Sequence, residues 1–255
     1  MPGQDQASEG SVVASAGALG VVDSPRLIQF GVLWFLVAAI TGVAGGLTLH
    51  FMRGRFDYEP PTFANPTAEQ SAKYNRERQA GLRRTAAAST GVAGAVFGAG
   101  FGLAFGLAAR SLTRGAVCTL LAVASSAVLV GCGGLVSQIG YTMVVTTGTA
   151  PPLIAGSAVQ FVFWFPLAVA LTVAAIPVIP AAELARTAAA LVTGAFVASI
   201  AVPISSVMLF LITLENSRDV LPPDKLGHCL LMGVVGSIAL CAVFFAVFRG
   251  RRSLT

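Results

Sequence analysis

The chain has 255 residues, of which 55% are hydrophobic and only 11% charged, with a formal net charge of +5. An average soluble domain is about 45–50% apolar and roughly 25% charged, so a water-soluble fold of this size could not cover its surface from so small a supply of polar side chains. A soluble enzyme, a disordered chain and a secreted disulfide scaffold are excluded, which leaves an all-α, polytopic integral membrane protein.

Residues 1–25 are small and polar, with Asp5, Glu9 and Asp23 but no basic residue. The apolar run from Val12 to Val22 lacks the basic segment that opens a signal peptide. A disordered tail is the expectation there, and a short basic tail at 250–255.

Between the tails lie six apolar windows: Leu27–Leu49, Ala86–Ala109, Gly115–Ile139, Gln160–Ile179, Thr187–Leu214 and Leu226–Phe248. Each meets or approaches the roughly 20 residues that a bilayer-crossing helix needs. From Gly115 to Ala182 there is no Asp, Glu, Lys or Arg at all. The segment Gly140–Val159 holds a Thr-Thr-Gly-Thr string and Pro151-Pro152, and is expected to be a loop rather than a re-entrant hairpin or part of a span.

Loop 51–85 is the one sizeable extramembrane piece. Pro60-Pro61 and Asn65-Pro66 mark turns, and Thr67-Ala-Glu-Gln70 fits a capping box. Glu69/Lys73 and Lys73/Glu77 stand one helical turn apart. A helix therefore starts near Ala68, either running unbroken into the second span or ending as a short separate helix at Gly81.

Six spans put both termini on one face, with seven basic residues; the opposite face holds nine. That split is too even to orient the chain; the flanks of spans 3, 4 and 6 favour cytoplasmic termini, while span 1 argues the reverse, and cytoplasmic termini are the expectation. The expectation is a multi-pass protein of a bacterial inner membrane. Its basic excess belongs to its loops and not to a nucleic-acid partner.

Span 2 carries the sharpest pattern. Gly94, Gly98, Gly102 and Gly106 recur every fourth residue, placing four glycines on one face where another backbone approaches closely. Span 1 repeats this with Ala38, Gly42 and Gly46. Such a glycine zipper serves packing within the bundle or self-association with a second copy or another membrane protein.

The second constellation is His50, ending span 1, and His228, opening span 6. Topology sets both at one membrane boundary, with Met52, Cys229 and Cys132 at similar depth, so soft sulfur ligands could join two imidazoles around copper or haem. No metal motif supports this, and a histidine capping a helix end explains each residue as well. The four cysteines form no CxxC pair, so neither zinc nor a disulfide framework is signalled. Ser157 faces His228 by topology, the minimum for an intramembrane Ser–His dyad, but Ala158 stands where a Gly-x-Ser-Gly string needs glycine. The run Gln160-Phe-Val-Phe-Trp-Phe-Pro166 reads as an aromatic belt at headgroup level.

The span interiors carry no acid or base of the kind that coupled transporters place there. No nucleotide-binding loop or metalloprotease motif is present. The sequence therefore points to a non-enzymatic, cofactor-free structural or partner-binding subunit in the lipid bilayer. The alternative is a small facilitator for a neutral or lipidic substrate, with Gln138, Thr193, Ser205 and Ser206 lining a cavity. A metal- or haem-binding redox subunit comes third.

Overall fold

The computed structural model describes residues 24–53, 55, 67–109, 111–147, 152–179, 181–213 and 223–249. The two tails and the Pro60-Pro61 and Asn65-Pro66 turns lie outside them. By its contacts the chain divides into Met1–Leu33 and Trp34–Thr255. The first unit holds the opening turns of helix α1, and the second holds the rest of α1 and five further helices.

The helices are α1 Ser24–Met52, α2 Ala68–Ala109, α3 Leu112–Thr147, α4 Pro152–Ala175, α5 Ala181–Thr213 and α6 Leu226–Arg249. All six are long and apolar enough to cross a membrane, and no strand occurs among the described residues. Hydrocarbon offers the backbone no hydrogen-bond partner, so an apolar segment must satisfy its own N–H and C=O groups by coiling. Large apolar side chains stay exposed on the outer faces, among them Ile40, Leu120, Val128, Phe196 and Leu211, where lipid takes the place of water.

Helix α2 starts at the expected capping box. The Thr67 N–H donates to Gln70 Oε1 at 2.9 Å, and the Gln70 N–H donates to Thr67 Oγ1 at 3.2 Å. The helix then runs unbroken for 42 residues, passing straight through Gly81, which is buried. At about 1.5 Å per residue this is roughly 63 Å, twice the ~30 Å of hydrocarbon. Its first five turns therefore stand outside the bilayer, where Lys73, Arg76, Arg83 and Arg84 are all exposed.

Segment Gly140–Val159 is not the expected loop. Helix α3 continues to Thr147 and α4 begins at Pro152. Two local causes explain the difference. Proline fits the first position of a helix, where its missing N–H has no intrahelical use. The antiparallel register of α2 and α3 also carries the end of α3 alongside the emergent turns of α2, so the chain has a neighbour to run beside.

Helix α4 closes at Ala175, short of the expected Ile179. Pro177 has no N–H to continue the ladder, and the chain leaves through a tight turn in which the Val178 and Ile179 N–H groups both bond the Ala175 carbonyl, at 3.0 and 2.9 Å. Pro166 lies within α4 and frees the carbonyl of Val162, four residues back. That carbonyl sits against Gly133 of α3, where a side chain would block it.

Within the second unit α4 is the hub. It packs against α2, α3 and α5 and meets α6 through Gln160–Met232 and Trp164–Gly236. Its buried residues Phe163, Trp164, Leu167, Ala168, Ala170 and Leu171 cover one broad face of the helix, while Phe165 and Val173 on the opposite side are exposed. Helix α3 is also clipped to it by two hydroxyls. Ser125 Oγ donates to the Ala170 carbonyl and Ser137 Oγ to the Val159 carbonyl, each at 3.3 Å.

Candidate functional site on the buried helix faces

The glycine row of α2 lies against α3. A Cβ built on Gly94 would stand 2.6 Å from the Ser126 carbonyl oxygen, and one on Gly102 2.7 Å from the Thr119 Cα. At Gly98 the obstruction is the Ala122 carbonyl, and at Gly106 it is the Cα of Gly115. All four are backbone contacts, so no side chain can swing aside to make room. Partner numbers fall as the α2 numbers rise, as two antiparallel neighbours require.

Helix α1 uses its own row against α6. A Cβ on Gly42 would meet the Gly233 carbonyl at 2.6 Å, and one on Gly46 the Cys229 carbonyl at 2.6 Å. Gly233 in turn abuts the Gly42 carbonyl. All six glycines singled out from the sequence thus face a neighbouring helix of the same chain.

A second set of glycines acts differently, as sockets for side chains. The Phe97 ring fills the space over Gly45, the Trp164 ring that over Gly236, Thr41 that over Gly100 and Thr90 that over Gly134. Phe97, Phe163 and Trp164 are each fully buried and meet edge to face, with centroids 5.1–6.1 Å apart, the arrangement that aromatic quadrupoles favour. A separate cluster joins Trp34, Phe105 and Phe244, with centroids 5.4–5.9 Å apart. The sequence does not reveal the sockets, because Gly45, Gly100 and Gly236 lie outside the four-residue rows.

Trp164 therefore corrects the expected aromatic belt. It is a core residue with 0% exposure, while Phe165, the next residue, is 38% exposed and faces outward. One turn before Trp164 stands Gln160, 4% exposed. Its Nε2 donates to the Met232 sulfur at 3.7 Å. Helices α4 and α6 run parallel here, so Gln160 is level with Met232 and Trp164 with Gly236. Among the described residues neither Gln160 Oε1 nor Trp164 Nε1 has a hydrogen-bond partner.

The histidines lie at one end of their helices. The pairing of Gly42 with Gly233 and of Gly46 with Cys229 carries His50 to the level of Lys225, less than one turn from His228. His228 is 4% exposed. His50 is half-buried, its ring edge-on to Phe51 at 5.6 Å, and its Nδ1 is buried with no hydrogen-bond partner among the described residues. Cys132 is exposed, whereas Cys229 is buried with its thiol donating to the Pro223 carbonyl at 3.3 Å. Among the described residues no three His, Cys, Asp or Glu side chains gather as a metal site would need. Ser157 is half-buried and level with Cys229, by the same register that pairs Gln160 with Met232.

The polar residues proposed to line a transport cavity do not form one buried set. Thr193 is exposed on α5, and Gln138, Ser205 and Ser206 are only half-buried. Many of the buried hydroxyls bond carbonyls of their own helix, such as Ser89 to Thr85 at 2.6 Å and Thr90 to Ala86 at 2.6 Å. Comparison of the chain with protein-family models, curated proteins and solved structures finds no match.

Proposed function

We propose that this chain is a non-enzymatic structural or partner-binding subunit of its membrane, its helices joined by glycine-zipper packing. The observation that carries this reading is the filling of the bundle's centre. Phe97 occupies the space over Gly45 and Trp164 the space over Gly236, so the places where small residues would open a passage are plugged by large rings. The expected setting is a bacterial inner membrane with both termini cytoplasmic, and the expected partner is a second copy or another membrane protein.

Two measurements on the full chain test this. Reconstituted into vesicles, it should leave the permeation of water, glycerol and urea at the rate of empty vesicles. Released gently from its membrane, it should give a native mass of more than one chain. A raised flux, or a bare monomer under every release condition, would overturn the reading.

The second reading, a facilitator for a small neutral solute, is favoured by one observation: the two unpartnered polar atoms of Gln160 and Trp164 inside the core. Flux that rises on reconstitution and falls with Gln160→Leu would establish it.

A further inference from the structure

The core departs at several places from the rule that buried polar groups are paired, at the hydroxyls of Thr85, Ser126 and Ser237 and, with an acceptor and a donor side by side, at Gln160 and Trp164. Gln160 Oε1 is an acceptor without a donor and Trp164 Nε1 a donor without an acceptor, among the described residues. They stand one turn apart on the same face of α4 and do not bond each other. Both project toward α6, Gln160 at Met232 and Trp164 at Gly236, residues that are themselves one turn apart. The indole atoms nearest Gly236 include Cε2, the carbon that carries Nε1. The edge that fills the socket over Gly236 is that of the six-membered ring, centred on Cζ2, with Cε2 and Cη2 on either side.

The rest of the site deepens the mismatch. The Gln160 Nε2 donates to a thioether, a weak acceptor. Phe97 and Phe163 pack against the indole, and Gly236 offers no side chain at all. In hydrocarbon no bulk water reaches these atoms, so each loses its hydration with no compensating bond.

We propose that Gln160 and Trp164 form a two-point site for one water molecule, which accepts from the Trp164 Nε1–H and donates to Gln160 Oε1. The ligand must be both donor and acceptor and must be very small, because both residues are almost completely enclosed. Water meets these demands, and two polar partners are the minimum that holds a buried water. A side chain at Gly236 would displace the six-membered ring of the indole and, with it, the N–H.

The chain has two tryptophans, so Trp34→Phe leaves Trp164 as the only indole. In that full-length background, labelled with 15N at the indole, the Trp164 N–H should resonate as a hydrogen-bonded group. It should also show magnetisation transfer to a long-lived water. Gln160→Leu should abolish the transfer and move the N–H signal to the position of an unbonded indole. An unbonded N–H in the Gln160 protein would overturn the proposal, as would a bonded N–H without water transfer or a transfer that survives Gln160→Leu. Because the Gln160 protein is decisive alone, a Gln160→Leu chain that failed to fold would leave the proposal still open to refutation.

Discussion

Gly106 of α2 and Gly115 of α3 face each other so closely that a Cβ on the first would lie 2.7 Å from the Cα of the second, and a Cβ on the second 3.0 Å from the Cα of the first. Neither position tolerates even alanine without helix displacement, and the two sit where the chain turns from one helix into the next. The pair closes the end of a seam that continues through Gly102, Gly98 and Gly94. Helices in lipid are held by such contacts and not by hydrophobic burial, since the tails are as apolar as leucine.

Side chains added along this seam should therefore be costly. Gly98→Leu or Gly106→Val should destabilise the chain by at least about 1–3 kcal/mol, the range for overpacking a filled interior. Gly140 is the control, since nothing lies within 4 Å of a Cβ placed there. Gly140→Ala should be neutral or gain up to about 1 kcal/mol, the difference in helix propensity. Reversible unfolding in mixed micelles measures both; equal effects at Gly98 and Gly140 would contradict the seam.

The same seam is spent within one chain. Gly98→Leu should lower the stability of each subunit while leaving the mass of the folded complex unchanged. Native mass spectrometry of the surviving folded fraction reads this directly. Well-folded subunits that had fallen apart would show instead that α2 meets a second chain.

Phe97 touches two other buried rings and seals the socket over Gly45. Phe97→Ala should cost about 3–5 kcal/mol, as large aromatic truncations in packed cores do. It should also shift the fluorescence of Trp164 in the Trp34→Phe background. A loss below about 1 kcal/mol would mean that this core is loosely packed.

The cap at Thr67 is exposed, so its effect should be local. Thr67→Ala should cost the first turns of α2 about 1 kcal/mol. Amide exchange should quicken near Glu69–Lys73 and stay unchanged at Phe97. Equal acceleration at both places would show that the whole of α2 opens as one unit.

What was legible in the sequence was local. Thr67 and Gln70 announce their own hydrogen bonds because both partners lie within one turn. The spacing of Gly94 to Gly106 shows that a backbone approaches, but not whose, since α3 and a second copy would leave the same mark. Pro151-Pro152 reads as a loop until the helix that uses Pro152 as its first residue is seen. Trp164 was misplaced for a similar reason. An aromatic run beside Pro166 is what a membrane boundary looks like, and contacts distant in sequence, with Phe97 and with Gly236 72 residues away, are what put Trp164 inside. Gln160 was the available clue, because an amide within an apolar run needs a partner wherever it lies.

Helix α2 has no proline between Ala68 and Ala109, and the chain is helical at every residue of that interval. A helix of this kind joins two different environments without a break. Its outer turns carry the exposed charges Lys73, Arg76, Arg83 and Arg84, and farther along it carries the Phe97 ring over Gly45, roughly 40 Å from Glu69 at about 1.5 Å per residue. Because one unbroken helix carries both, the basic turns at the membrane surface and the buried ring against Trp164 belong to a single continuous element.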